Sequence, residues 1–114
     1  MLKWTYKTVK YESRVAIFAK QAMAGLPPMA GAVMLSITAY FPISPSWTKK
    51  RQLAARAGLE HVTKKPDLDN ILKAIKDGMN GIVWLDDAQV VRLIDCCKVY
   101  SDEPRVEVFA AEVA

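Results

Sequence analysis

Regular alternation of apolar and more polar residues between Ala32 and Phe41 is the feature that most limits the fold of this chain. Successive side chains of a β-strand point to opposite faces, so one face of this segment carries only apolar side chains. That face comprises Val33, Leu35, Ile37, Ala39 and Phe41, and the opposite face comprises Met34, Ser36, Thr38 and Tyr40. The segment therefore predicts a β-strand, and the fold has to include a sheet.

Helical patterns are found on both sides of this strand. Apolar residues from about Glu12 to Ala24 recur at helical spacing, and Gly25 ends this pattern before two prolines. After the strand, Ser46 can cap a basic helix that ends near Gly58. The N-terminal residues, MLKWTYKTVKYESR, are expected to lead directly into the first helix, with no strand before it.

A third helix and a terminal hairpin complete the predicted elements. The helix begins at Asp67 and carries an apolar stripe on one side. The stripe consists of Leu68, Ile71, Leu72, Ile75 and Met79. Beyond it, Ile82 to Leu85 predicts a buried strand, and Val90 to Tyr100 and Arg105 to Val113 predict the two strands of a hairpin. The expected fold is α+β, a small mixed β-sheet with packed helices.

Length and composition favour one globular domain, residues 1–114. Of the 114 residues, 52% are hydrophobic and 25% are charged, which suits one hydrophobic core and not two. No apolar segment approaches the roughly 20 residues of a membrane-spanning helix, and the N-terminus lacks the apolar centre of a signal peptide. A cytoplasmic protein is therefore expected. Cys96 and Cys97 are interpreted as reduced strand residues, because a disulfide between neighbours is strained.

Positive charge is concentrated in the first two thirds of the chain, within a net charge of +4. Residues 1–46 contain five Lys or Arg and one Asp or Glu, and residues 47–76 contain eight and three. Residues 77–114 contain three and eight. Such a basic region is either a solvated surface or a binding surface for a phosphate backbone.

Two acidic residues within the basic region, Asp67 and Asp69, have two explanations. In the structural one, Asp67 caps the third helix, while Asp69 interacts with the helix dipole and with Lys73 four residues later. In the functional one, they meet a second acidic pair, Asp86 and Asp87, when the helix folds back on the strand that precedes that pair. Clustered carboxylates repel one another unless a cation lies among them.

A hard divalent cation suits such a cluster. Mg²⁺ prefers oxygen ligands and often keeps waters and a substrate phosphate oxygen in its shell, with Mn²⁺ as its natural substitute. The single His61 and the adjacent cysteines do not form a zinc site. Lys73 either pairs with Asp69 or contributes a positive charge at a substrate phosphate, and sequence spacing does not separate these two roles.

Two segments of the chain resemble the central signature of the RusA family of Holliday-junction resolvases. They are KPDLDNILKAIKDGMNG, residues 65–81, and VWLDDAQVV, residues 83–91. The preceding segment, which begins PISPSWTKKRQ, is also similar, so the resemblance covers roughly residues 12–114. Members of that family are Mg²⁺-dependent endodeoxyribonucleases, often encoded by prophages. The resemblance implies an enzyme of DNA recombination and repair that acts on branched DNA.

The resemblance also implies roles for individual residues. Asp67, Asp69 and Asp87 would bind the metal and take part in catalysis, and Lys73 would be required for cleavage. Supporting roles are expected for Asn70 and Asp86. The basic residues expected to hold the DNA backbone are Lys49, Lys50, Arg51, Arg56, Lys64, Lys65 and Lys76. A homodimer is implied as well, its two acidic sites facing a four-way junction and making paired symmetric cuts.

The N-terminus departs from the family, whose members begin with a strand and a proline-rich segment. That first strand is therefore expected to be missing or divergent here. The departure leaves open a second function, a catalytically inactive module of a prophage remnant that binds branched DNA. A magnesium-dependent phosphohydrolase acting on nucleotides is a third reading, although the sequence shows no glycine-rich phosphate loop.

Overall fold

The structure, a computed structural model, describes residues 2–6, as backbone, and residues 15–113. Three α-helices and five β-strands occur in this part of the chain. They are β1 (Leu2–Tyr6), α1 (Val15–Met23), β2 (Val33–Pro42), α2 (Lys49–Arg56), α3 (Leu68–Met79), β3 (Val90–Leu93), β4 (Cys97–Ser101) and β5 (Arg105–Glu112). A short 3-10 helix, Asp87–Gln89, precedes β3. No helix in the described ranges is both long enough and apolar enough to cross a membrane.

Strand β2 lies at the centre of a mixed five-stranded sheet. Strand β5 pairs with β2 in antiparallel orientation, and β1 extends the sheet by pairing with β5. Strands β3 and β4 pair with successive halves of the other edge of β2, both in parallel orientation. The fold class expected from the sequence, a small mixed sheet with packed helices, is confirmed.

The alternating segment forms β2 with the expected facing. Alternate side chains from Val33 to Phe41 are buried, and the intervening ones are half-buried. Helices α1 and α3 contribute to the same hydrophobic core as this buried face. Their buried residues are Val15, Ala19 and Met23 of α1 and Ile71, Ile75 and Met79 of α3. The two helices are close at Gly78, where an added Cβ would lie 2.7 Å from the Cβ of Val15.

The starts of α2 and α3 differ in detail from the sequence prediction. Thr48, and not Ser46, occupies the N-cap of α2, because its side-chain oxygen accepts a 3.2 Å hydrogen bond from the backbone N–H of Arg51. Asp67 lies at the N-cap position of α3, as expected, but its side chain makes no capping hydrogen bond. Gly58, with a φ of 77°, follows the end of α2 and adopts a conformation that favours glycine.

The strand prediction after α3 is wrong in two respects. Residues Ile82–Leu85 form a turn and not a strand, although Val83 and Trp84 in this turn are fully buried. The predicted strand Val90–Tyr100 is divided into β3 and β4, because the chain turns at Asp95, whose φ is 50°. The apolar composition of Ile82–Leu85 thus indicates the burial of Val83 and Trp84, whereas no residue of Val90–Tyr100 is buried and Val91 and Leu93 are exposed.

The predicted hairpin and the predicted N-terminus are also wrong. Strands β4 and β5 do not pair with each other, since they lie on opposite edges of β2. Residues Leu2–Tyr6 form β1, so a strand does precede α1. The expected start of the first helix at Glu12 lies outside the described residues.

The two cysteines are adjacent at the start of β4. Cys97 lies in β4 and Cys96 lies just before it. Both thiols are free, and burial raises the pKa of the Cys96 thiol.

Candidate functional site

The N-cap position and the first turn of α3 each present one carboxylate to solvent. Asp67 and Asp69 are exposed, and neither forms an ion pair within the described part of the chain. The i,i+4 ion pair between Asp69 and Lys73 that the structural explanation requires is therefore not formed, and Lys73 is exposed one turn further along. What remains of that explanation is the favourable position of negative charge at a helix N-terminus. The first turn thus carries more acidic groups than its local structure uses.

The backbone that leads into α3 is held by a lysine from the sheet. The Nζ of Lys98, in β4, donates hydrogen bonds to the carbonyl oxygens of Lys64 at 2.7 Å and of Pro66 at 3.0 Å. The same Nζ lies 5.6 Å from the ring centre of Phe41. Lys98 therefore links the end of β2 and β4 to the residue immediately before Asp67.

The second acidic pair lies on a tight turn after α3. Trp84 is fully buried, and its indole N–H donates a 2.8 Å hydrogen bond to Oδ1 of Asp87. Asp86 caps the 3-10 helix, because its Oδ1 accepts a hydrogen bond from the backbone N–H of Ala88 at 3.2 Å. Asp86 is thus engaged in local structure, whereas Asp87 is oriented through one of its two oxygens by a rigid buried ring.

Gln89 fixes this turn to the rest of the molecule with both ends of its amide. Its Oε1 accepts hydrogen bonds from the backbone N–H groups of Leu85 and Asp86, each at 2.8 Å. Its Nε2 donates to the carbonyl oxygens of Met29 at 2.8 Å and Gly31 at 2.9 Å. These four bonds use both acceptor positions of the amide oxygen and both N–H groups of the amide nitrogen, so the turn has little freedom to move.

The two acidic segments lie toward opposite ends of β2. The loop before α3 lies beside the C-terminal end of β2, where the Nζ of Lys64 is 5.9 Å from the ring centre of Phe41. Asp87 lies near the other end, since Val90, three residues later, pairs with Val33. Helix α3 spans this interval with 12 residues, which corresponds to about 18 Å. A single chain therefore does not bring the two acidic segments together.

The prediction that the two acidic pairs meet by folding α3 back on a strand is wrong for the described part of this chain. The segment Ile82–Leu85 continues as a turn from the end of α3, with the N–H groups of Ile82 and Val83 bonded to the carbonyl oxygen of Met79. In the part of the chain that the structure describes, no three acidic, histidine or cysteine residues are close enough to hold a metal ion. The role of Asp67, Asp69 and Asp87 as metal ligands stays a prediction.

The basic residues expected to contact DNA divide into two groups. Two arginines have carboxylate partners: Arg51 pairs with Glu60 at 2.6 Å, and Arg56 binds Asp102 through hydrogen bonds of 2.8 to 3.1 Å. The hydrogen bonds from Arg56 hold the pKa of the Asp102 carboxyl below its usual range. The lysines of the set are Lys49, Lys50, Lys64, Lys65 and Lys76, all exposed except the half-buried Lys76. The lysines are thus more available than the arginines.

Three residues that organise the site were not identified from the sequence. Gln89 stands three residues after Asp86, which is the spacing of a capping box, so its local role could have been read. Its bonds to Met29 and Gly31 reach residues about sixty positions away and leave no local signal. Trp84 and Lys98 likewise act through contacts that only the folded chain creates.

Comparison with known proteins identifies the family of this chain. The model of a family described as endodeoxyribonuclease RusA matches residues 3–110. The uncharacterized protein YqaN of Bacillus subtilis (strain 168) is 43% identical over 88 residues, which are 75% of this chain and 61% of that relative. The chain spans about three fifths of the length of this curated relative. The family match covers both acidic segments and nearly the whole chain, and the protein therefore belongs to the RusA endodeoxyribonuclease family.

Proposed function

We propose that this protein is a divalent-metal-dependent endodeoxyribonuclease that resolves Holliday junctions by paired symmetric cuts, in DNA recombination and repair. The observation that carries the proposal is that the family match, residues 3–110, includes both acidic segments. We propose further that residues 1–114 fold as one domain, that the protein acts in the cytoplasm, and that its gene belongs to a prophage. Mg²⁺ is the proposed metal and Mn²⁺ its substitute.

The proposed ligands are Asp67, Asp69 and Asp87, whose carboxylate oxygens suit a hard cation. Lys73 would place a positive charge at the phosphate that is cut, with Asn70 and Asp86 in supporting roles. Within one protomer these ligands do not fit a metal ion, because the start of α3 and the turn of Asp87 lie toward opposite ends of the helix. Some other arrangement of the same residues is needed for the proposed activity.

A homodimer offers that arrangement. The start of α3 in one protomer would lie next to Asp87 of the partner subunit, and two-fold symmetry would then create two equivalent sites. Two equivalent sites agree with paired cuts in a symmetric junction. Apolar side chains are exposed on either side of Asp87, with Leu85 and Val91 each 62% and Leu93 49% exposed, and such a surface favours contact with another protein surface.

DNA would be held by the exposed lysines that precede and enter α3. Lys49 and Lys50 lie at the start of α2, and Lys64 and Lys65 lie in the loop before α3. Along the chain, these positively charged lysines lie no more than one secondary-structure element away from Asp67 and Asp69. Because each phosphate contact releases counterions, affinity for DNA should fall as the salt concentration rises.

The proposal is tested with purified protein on a synthetic four-way junction and on linear duplex, in Mg²⁺ and in EDTA. The wild type should nick the junction in Mg²⁺ only. Asp69→Asn should bind the junction as well as the wild type and should not nick it, because it loses a carboxylate at the cation. Asp77→Asn, the same exchange at an exposed position near the other end of α3, is the matched control and should cleave normally.

Other outcomes would favour the other readings of the sequence. Junction binding by the wild type without Mg²⁺-dependent nicking would replace the enzyme with an inactive branched-DNA-binding module. Release of inorganic phosphate from nucleotides, with no nicking of DNA, would favour a phosphohydrolase. Equal cleavage by Asp69→Asn and wild type would refute the assignment of Asp69 as a metal ligand.

A further inference from the structure

We propose that Lys98 is a positioning residue for the candidate site, a role that rests on the proposed function. Lys98 lies in β4, outside both acidic segments, and its Nζ donates hydrogen bonds to the carbonyl oxygens of Lys64 and Pro66. Pro66 immediately precedes Asp67. Lys98 therefore fixes the backbone from which the first acidic side chain projects.

The segment that Lys98 holds has few other polar anchors. No backbone–backbone hydrogen bond involves residues 60–66 within the described part of the chain. The hydrogen bond that opens α3 runs from the N–H of Ile71 to the carbonyl oxygen of Asp67 at 3.1 Å. A helix end with mobile flanking residues frays easily. The two bonds from Lys98 thus act on the part of α3 that carries Asp67 and Asp69.

The surroundings of Lys98 favour this one orientation of its side chain. Ala39, its register partner on β2, is fully buried and small, which leaves space on the sheet for the long side chain. The Nζ also lies near the face of the buried Phe41 ring, where a cation is attracted to the aromatic system. Bonds from an ammonium to carbonyl oxygens are stronger than those between neutral groups. The two hydrogen bonds from Lys98 to the carbonyl oxygens of Lys64 and Pro66 are therefore directional and specific to a cationic donor.

The test compares Lys98→Met with Lys20→Met, the same exchange at an exposed position of α1. Two quantities are measured: amide hydrogen exchange at Ile71 in metal-free protein, and the Mg²⁺ concentration that gives half-maximal junction nicking. Lys98→Met should exchange faster at Ile71 and should need about 10-fold more Mg²⁺, which is the lower end of the roughly 10- to 100-fold loss of metal affinity seen when a residue that orients metal ligands is lost. Lys20→Met should change neither value.

A third variant separates positioning from general stability. Val108→Ala removes buried apolar volume from β5, so it should lower the stability of the whole domain without changing the Mg²⁺ requirement. An unchanged exchange rate at Ile71 in Lys98→Met would show that Lys98 does not hold the start of α3. Faster exchange with an unchanged Mg²⁺ requirement would overturn the positioning role. Failure of the wild type to nick any DNA would overturn the proposed function and the role with it, while exchange at Ile71 would still report whether Lys98 holds the start of α3.

Discussion

Replacement of Gln89 by glutamate should destabilise the turn that carries Asp87, even though the shape of the side chain is preserved. In the wild type, the amide nitrogen donates to the carbonyl oxygens of Met29 and Gly31 at 2.8 and 2.9 Å. A glutamate keeps the oxygen that accepts from the backbone on the other side of the turn. It replaces the donating nitrogen with an oxygen that faces two carbonyl oxygens.

The size of the effect follows from the number of bonds lost. Two hydrogen bonds between neutral groups disappear, and each contributes about 1 kcal/mol to the free energy of unfolding, so the expected loss is about 2 kcal/mol. Gly31 is exposed, so water can satisfy its carbonyl oxygen in the variant and limit the loss to about this value. With a urea dependence of about 1–3 kcal/mol per molar, the unfolding midpoint should fall by roughly 0.7–2 M.

Urea unfolding at neutral pH, followed by circular dichroism, measures this change. The matched control is Gln21→Glu, because Gln21 is exposed on α1 and the chemical exchange is the same. A surface substitution of this kind should change the free energy of unfolding by less than about 0.5 kcal/mol. If Gln89→Glu were as stable as this control, the four bonds of Gln89 would not hold the turn, and the fixed position of Asp87 would lose its explanation.

Two further predictions concern the basic surface and the packing of the helices. The double variant Lys49→Ala and Lys50→Ala should bind every DNA more weakly than the wild type. The slope of log affinity against log salt concentration should become shallower by about 2, because each lysine is expected to make one phosphate contact. If the slope measured on junction and on duplex is unchanged, these two lysines do not contact DNA. Gly78→Ala should lower the free energy of unfolding by about 1 kcal/mol. Crowding of the added methyl group against Val15 costs about 1–3 kcal/mol, and the higher helix propensity of alanine offsets up to about 1 kcal/mol of this. A higher melting temperature of the variant would show that α1 and α3 can separate without loss of stability.

Local periodicity predicted the elements whose environment is uniform along their length. The apolar face of β2 and the stripe of α3 were identified because every member of each set is on one side of one regular element. Asp67 was likewise correctly expected at the start of α3, since a proline followed by aspartate is a local signal. These features depend on a few neighbouring residues, which is the range over which a sequence can be read directly.

The rest depends on contacts between distant parts of the chain. The run from Val90 to Tyr100 looks like one strand, but its two halves pair with separate parts of β2 and the chain turns at Asp95 between them. In the segment Ile82–Leu85, Val83 and Trp84 are buried, and burial alone does not distinguish a strand from a turn. This second error explains why the acidic pairs were expected to meet within one chain. The contacts of Gln89 and Lys98 are long-range for the same reason.

The proposed shared site can be tested by complementation between two inactive variants. Asp69→Asn and Asp87→Asn are coexpressed with different tags, and dimers that contain one chain of each are purified. If each site combines the start of α3 from one protomer with Asp87 of the other, a mixed dimer keeps one intact site and should nick a single strand of a four-way junction in Mg²⁺, while neither variant alone nicks it. Mixed dimers without activity, beside active wild-type dimers carrying the same tags, would contradict the shared site.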